Sequence, residues 1–147
     1  AEATAAALAG ASLAHVSAHG TFRSDNPLFS SLKLVDGPIT VYDLEALPAP
    51  PHRIVLSACD SGLSGARPGD ELMGLAAALF SLGTSALVVS VVPVPDEATR
   101  TLMGAFHRRL RDGAQPAEAL AAARADVASP DPSTAAASAA FVCMGAG

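Results

Sequence analysis

The chain has 147 residues, half of them hydrophobic, with 9 Lys and Arg against 14 Asp and Glu. That length fits one domain able to bury about two-thirds of its unfolded surface, while the net charge of -5 and the absence of Trp argue against a nucleic-acid binder, which needs clustered cations and aromatic platforms. The positive mean hydropathy comes largely from alanine, no apolar run approaches the roughly 20 residues of a spanning helix, and the first residues lack the basic and apolar blocks of a signal peptide.

Taken in chain order, residues 1–12 are alanine-dominated and read as a helix that stops at Gly10. Residues 13–18 form a short apolar run that reads as a parallel strand, with His19-Gly20 in the loop after it. Residues 20–27 mix Gly, Ser, Asp, Asn and Pro, which is loop chemistry. Two short strands are expected at 32–35 and 39–41, joined by Asp36-Gly37, a dipeptide that reaches positive φ cheaply and favours a hairpin. Pro38 confines the second to a sheet edge. A turn or two of helix follows at 42–47, and residues 53–58, Arg-Ile-Val-Leu-Ser-Ala, make the clearest strand of the first half.

From Asp70 the apolar period changes. Leu72, Leu75, Ala76, Leu79 and Phe80 recur at helical spacing, with Asp70 expected to cap the first turn and Gly83 to close the last. Residues 84–92 are β-branched and continuous, as in a strand buried on both faces. Helices are expected at 96–112 and 116–127, a loop at 129–133 and a last strand at 139–144. Strands alternating with helices predict an α/β domain with a mainly parallel sheet and helices on both faces. In such sheets ligands sit at the carboxyl ends of strands, near the point where strand order reverses.

Two groups capable of covalent chemistry fall at that edge. Cys59 ends the strand in Leu-Ser-Ala-Cys-Asp-Ser-Gly, residues 56–62, and His19 lies 40 residues upstream in His-Val-Ser-Ala-His-Gly, residues 15–20. A free thiol titrates near 8.5, so a nucleophilic cysteine needs an imidazole to assist it or to carry the leaving-group proton. His19 is the candidate acid/base. The backbone N–H groups of Gly20 and Cys59 are candidate oxyanion donors, because a glycine lets the backbone approach a carbonyl without a Cβ in the way.

At these residues the chain resembles a known family. The His-x-x-x-His-Gly segment at 15–20 is similar to that of caspase-like peptidases, and residues 56–62 resemble the Leu-Ser-Ala-Cys-x-x-Gly block of CHAT domains, which often accompany TPR repeats. The likeness continues through Gly69-Asp70-Glu71, Gly74-Leu75, Leu82-Gly83-Thr84-Ser85, residues 94–99 and residues 141–145. It implies a caspase-like α/β fold and a cysteine endopeptidase in which His19 and Cys59 form the dyad and Gly20 shares the oxyanion hole. CHAT domains commonly carry a Trp near residues 91–93, where this chain has Val-Val-Pro. The family also has strands and helices before its His block, so residues 1–147 are expected to be the C-terminal portion of a larger domain. The implied partners are a protein or peptide substrate and either that upstream part or a TPR-type protein, with no nucleic acid or membrane. The alternative is a catalytically silent interaction or signalling module on the same fold.

The remaining candidates have plainer readings. Asp60, beside the nucleophile, could attract a basic P1 side chain or simply bond the next backbone N–H groups of a turn. His15, on the face opposite Val16, reads as a packed or hydrogen-bonded core histidine, and His52 and His107 as solvated. Asp70 and Glu71 read as helix N-terminal charges. No cofactor and no metal are expected, since His15 and His19 share no helix face. Neither a Gly-x-Gly-x-x-Gly nor a Gly-Lys phosphate loop is present. Cys143 reads as packing. Two cysteines in apolar contexts suit a reducing, cytoplasmic setting, and the alanine and proline bias suits a GC-rich bacterial genome.

Overall fold

The computed structural model describes residues 2–21, 23, 25–57, 68–92, 94–128 and 131–146. In chain order its elements are helix α1 (Glu2–Leu8), strands β1 (Ala14–Val16), β2 (His19–Thr21), β3 (Ser31–Leu34) and β4 (Gly37–Thr40), helix α2 (Val41–Glu45) and strand β5 (Arg53–Leu56). Helix α3 (Pro68–Ser81), strand β6 (Ala86–Ser90), helices α4 (Asp96–Arg111), α5 (Pro116–Asp126) and α6 (Pro132–Ala140), and strand β7 (Phe141–Gly145) follow. A 3-10 turn, Pro27–Phe29, lies between β2 and β3.

The main sheet has the order β1-β5-β6-β7, with β1, β5 and β6 parallel and β7 antiparallel. This is the mixed α/β architecture expected. Its central strands are apolar on both faces because both are covered. Ile54, Leu56, Leu87 and Val89 point to one side, where Leu75, Ala76 and Leu79 of α3 and Val41 and Leu44 of α2 cover them. Val55 and Val88 point to the other, against Leu102, Met103 and Phe106 of α4, Ala119, Leu120 and Ala123 of α5, and Ala137 of α6. The period-two alternation of strand side chains therefore divides one apolar run between two cores. The described strands follow sequence order across the sheet, so the expected reversal of strand order is not found among them; the carboxyl ends alone mark the edge of interest.

A second, antiparallel sheet, β2-β3-β4, packs on the α3 side through Leu32 and Ile39. Its hairpin turns at Val35-Asp36 with Gly37 at φ 116°, and Pro38 lies in the edge strand β4, as the sequence predicts. Thr40 then caps α2, accepting from the Asp43 N–H while the Asp43 carboxylate accepts from the Thr40 N–H.

Four expectations change. His19-Gly20 does not lie in a loop but begins β2, paired to Lys33 and Leu32 of β3. Helix α3 starts at Pro68, so Asp70 lies within its first turn rather than before it. Residues 139–140 belong to helix rather than strand: α6 forms from Pro132, with the Asp131 side chain accepting from the Thr134 N–H, and β7 begins only at Phe141. The strand expected over 53–58 is described as far as Leu56, with Ser57 following in an irregular conformation; Ala58 lies outside the described residues.

Candidate active site

β1 and β5 run parallel with Ala14, His15 and Val16 opposite Ile54, Val55 and Leu56. The pairing continues one step further, because the Ser57 N–H donates to the Val16 carbonyl at 3.1 Å. Both chains thus leave the same edge of the sheet in matched register. His19 lies three residues past Val16, and Cys59 lies three residues past Leu56. Cys59 and Asp60 themselves lie outside the described residues.

His19 is exposed at the start of β2, and Gly20 beside it is buried against β3. β2 is fixed from below by the hairpin it pairs with. Its exit is fixed by Ser30, 2% exposed, whose Oγ accepts from the Arg23 N–H at 3.0 Å and whose carbonyl accepts from the Val41 N–H. The 3-10 turn after this segment lies so close to α3 that a Cβ on Gly74 would stand 2.9 Å from Cγ of Pro27. The resemblance block containing Gly74 therefore has a packing reason: α3 meets the segment that follows His19-Gly20.

On the opposite face of β1 the structure assembles a group that the sequence does not announce. His15 Nδ1 lies 2.7 Å from His107 Nε2, and His15 Nε2 lies 2.9 Å from Ser57 Oγ. The two imidazoles stack with centroids 4.9 Å apart at 24°, and Phe106 meets His107 edge-on. His15 is hydrogen-bonded, as expected, but keeps an exposed edge rather than lying in the core. His107, expected to be solvated, is half-buried on the inner side of α4. Burial lowers the affinity of both rings for a proton below the ordinary histidine value, and the nearby His107 lowers that of His15 further. Ser57 is buried, and its carbonyl also faces Ser17 Oγ at 3.5 Å. His52 remains exposed, sharing a hydrogen bond with Ser85 Oγ.

Cys143, in β7, is half-buried, and burial pushes its thiol up. It stands opposite Val88 in the main sheet, a packing position. Among the described residues, no group of three or more His, Cys, Asp or Glu is placed to share a metal ion, and no helix is long and apolar enough to cross a membrane. The cavity between the two sheets is walled mainly by apolar side chains such as Val16, Leu32, Ile39, Ile54 and Leu79.

A mainly parallel α/β sheet covered by helices on both faces is consistent with a caspase-like, peptidase-type domain. The family model of the CHAT domain matches residues 2–146, and the chain belongs to that family. No curated protein matches it.

Proposed function

We propose that the chain is the catalytic portion of a cysteine endopeptidase in which Cys59 and His19 form the dyad. The observation that carries this reading is the shared register: His19 and Cys59 follow the paired residues Val16 and Leu56 by the same three positions. Neighbouring strands lie about 4.8 Å apart, and three residues span at most about 10 Å. The two groups therefore leave neighbouring origins on tethers long enough to let them meet.

In this mechanism the Cys59 thiolate attacks the scissile carbonyl, and the backbone N–H groups of Gly20 and Cys59 receive the developing oxyanion. His19 gives its proton to the leaving amine as the C–N bond breaks. Water then enters, His19 takes its proton, and the thioester opens to release the carboxylate and restore the thiol. No cofactor or metal takes part. A short peptide segment is the substrate, a TPR-type protein or an upstream part of the same domain is the partner, and a reducing cytoplasm keeps the thiol free.

A peptide library with every residue type at P1, incubated with wild type, Cys59→Ala and His19→Ala, tests this. Cleavage by wild type alone is expected. Cleavage undiminished in Cys59→Ala would contradict the mechanism, and none by any of the three, in the presence of the upstream part, would favour the silent interaction module. Preference for Arg or Lys at P1 would assign Asp60 to the pocket; an acidic or apolar preference would leave it a turn residue.

A further inference from the structure

His15 and His107 are 92 residues apart in sequence, yet they share a 2.7 Å hydrogen bond, and His15 carries the connection on to Ser57 at 2.9 Å. Ser57 is two residues before Cys59 and is only 5% exposed. Its main chain is already tied to β1 through the Val16 carbonyl. The imidazole adds a tie through the side chain, at the last described residue before the cysteine segment.

The surroundings show what the array does. Whichever tautomer holds, one proton lies between the facing nitrogens of His15 and His107; a second would set two N–H groups head to head. The pair is therefore a connected unit when neutral or singly charged and a broken one when doubly charged. Ser17, just past β1, lies on this edge, β5 contributes Val55, Ser57 follows β5, and α4 contributes Phe106. Burial and then the nearby His107 lower the proton affinity of His15, and burial lowers that of His107. Of the arginines that follow on α4, Arg109 is paired with Asp126 at 2.6 Å.

We propose that His15 and His107 are positioning residues, which hold Ser57 and through it the Cys59 segment in register with the carboxyl end of β1. The inference rests on the reading of Cys59 as the nucleophile. Ser57 does not serve as a nucleophile in its own right: its hydroxyl is buried, and its N–H, which an oxyanion would need, is taken by Val16.

The test follows the rate of Cys59 alkylation by iodoacetamide in the full chain between about pH 5 and pH 8, with Cys143 in the same sample as standard and peptide mapping as readout. His107→Phe keeps a ring against His15 and Phe106 but removes the nitrogen. At neutral pH it should slow Cys59 about fivefold, the scale of one lost hydrogen bond, leave Cys143 unchanged, and abolish an inflection below the ordinary histidine value of 6.5. His107→Gln places an amide where Nε2 stood, and should recover most of the lost rate while still lacking the inflection.

Equal Cys59 rates and pH profiles in wild type and His107→Phe would overturn the proposal, as would parallel changes at Cys59 and Cys143, which mark a general loosening. Labelling of Ser57 by a fluorophosphonate would also overturn it. Failure of the peptidase reading looks different: His107→Phe would still slow Cys59 selectively, but the wild type would cleave no peptide.

Discussion

Replacing Gly145 by alanine tests whether β7 closes the sheet in the register described. Gly145 has φ 92°, a region that costs an L-residue about 1 kcal/mol. A Cβ there would also stand 2.3 Å from the Ser85 carbonyl oxygen and 3.0 Å from Cε1 of Phe80. The carbonyl belongs to the backbone and cannot rotate away. Relief needs a shift on the order of 1 Å, which would sacrifice the hydrogen bond from the Ala146 N–H to the same Ser85 oxygen, worth about 1 kcal/mol, and crowd Phe80 at about 1 kcal/mol more.

The sum is about 3 kcal/mol, or roughly 12 °C in Tm for a domain of this size. Gly113→Ala supplies the control, since Gly113 has φ 98° after α4 with nothing within 4 Å of an added Cβ; it should lose about 1 kcal/mol. Urea denaturation of the two variants isolates the close approach from the backbone strain. If Gly145→Ala cost no more than Gly113→Ala, the placement of β7 against Ser85 and Phe80 would be refuted.

Arg124 donates to the Ser138 carbonyl at 3.0 Å and to the Phe141 carbonyl, tying α5 to the junction of α6 and β7; Arg124→Met should cost about 2 kcal/mol in the same assay. A loss under about 0.5 kcal/mol would remove that role. Thr40→Ala removes the acceptor for the Asp43 N–H at the start of α2 and should cost about 1 kcal/mol, whereas Thr40→Ser should retain most of the stability. The His15–His107 pair also sets a pH dependence. Both rings bind protons less readily folded than unfolded, so their contribution is fully present above the ordinary value of 6.5 and is lost as pH falls from there through the lower folded values. Urea midpoints should drop between about pH 7.5 and pH 5.5, and drop less in His107→Phe. An identical drop in both proteins would contradict the assignment.

The fold was legible wherever burial dictates composition. The apolar run from Leu87 to Val89 must be a strand covered on both sides, and Leu75, Ala76 and Leu79 show the helical period of a covered face. Gly83 and Gly113, at φ 99° and 98°, end their helices as a glycine just past a periodic run should. β2 was not legible, because His19-Gly20-Thr21 has no apolar alternation and becomes a strand only through pairing with β3. Helix α6 hid in alanine and serine with no apolar period, although Asp131-Pro132 carried the sign of its start.

The candidate dyad comes from two short motifs, of which the structure describes the His19 block, while Cys59 lies outside the described residues. The His15–His107 contact was not legible, since nothing local links a residue of β1 to one of α4 across 92 positions. The contact follows from tertiary packing, in which Leu102, Met103, Ala105 and Phe106 seat α4 on the sheet.

The central claim is that Cys59 is a nucleophile served by His19. It is tested most directly by incubating the protein with a peptidyl acyloxymethyl ketone, which alkylates a cysteine only when an acid/base partner and oxyanion donors are in place, and mapping the modified residue. The account predicts a single adduct on Cys59, none on Cys143, and loss of the adduct in His19→Ala with the fold retained. Equal modification of the two cysteines, or an undiminished adduct on Cys59 in His19→Ala, would contradict it.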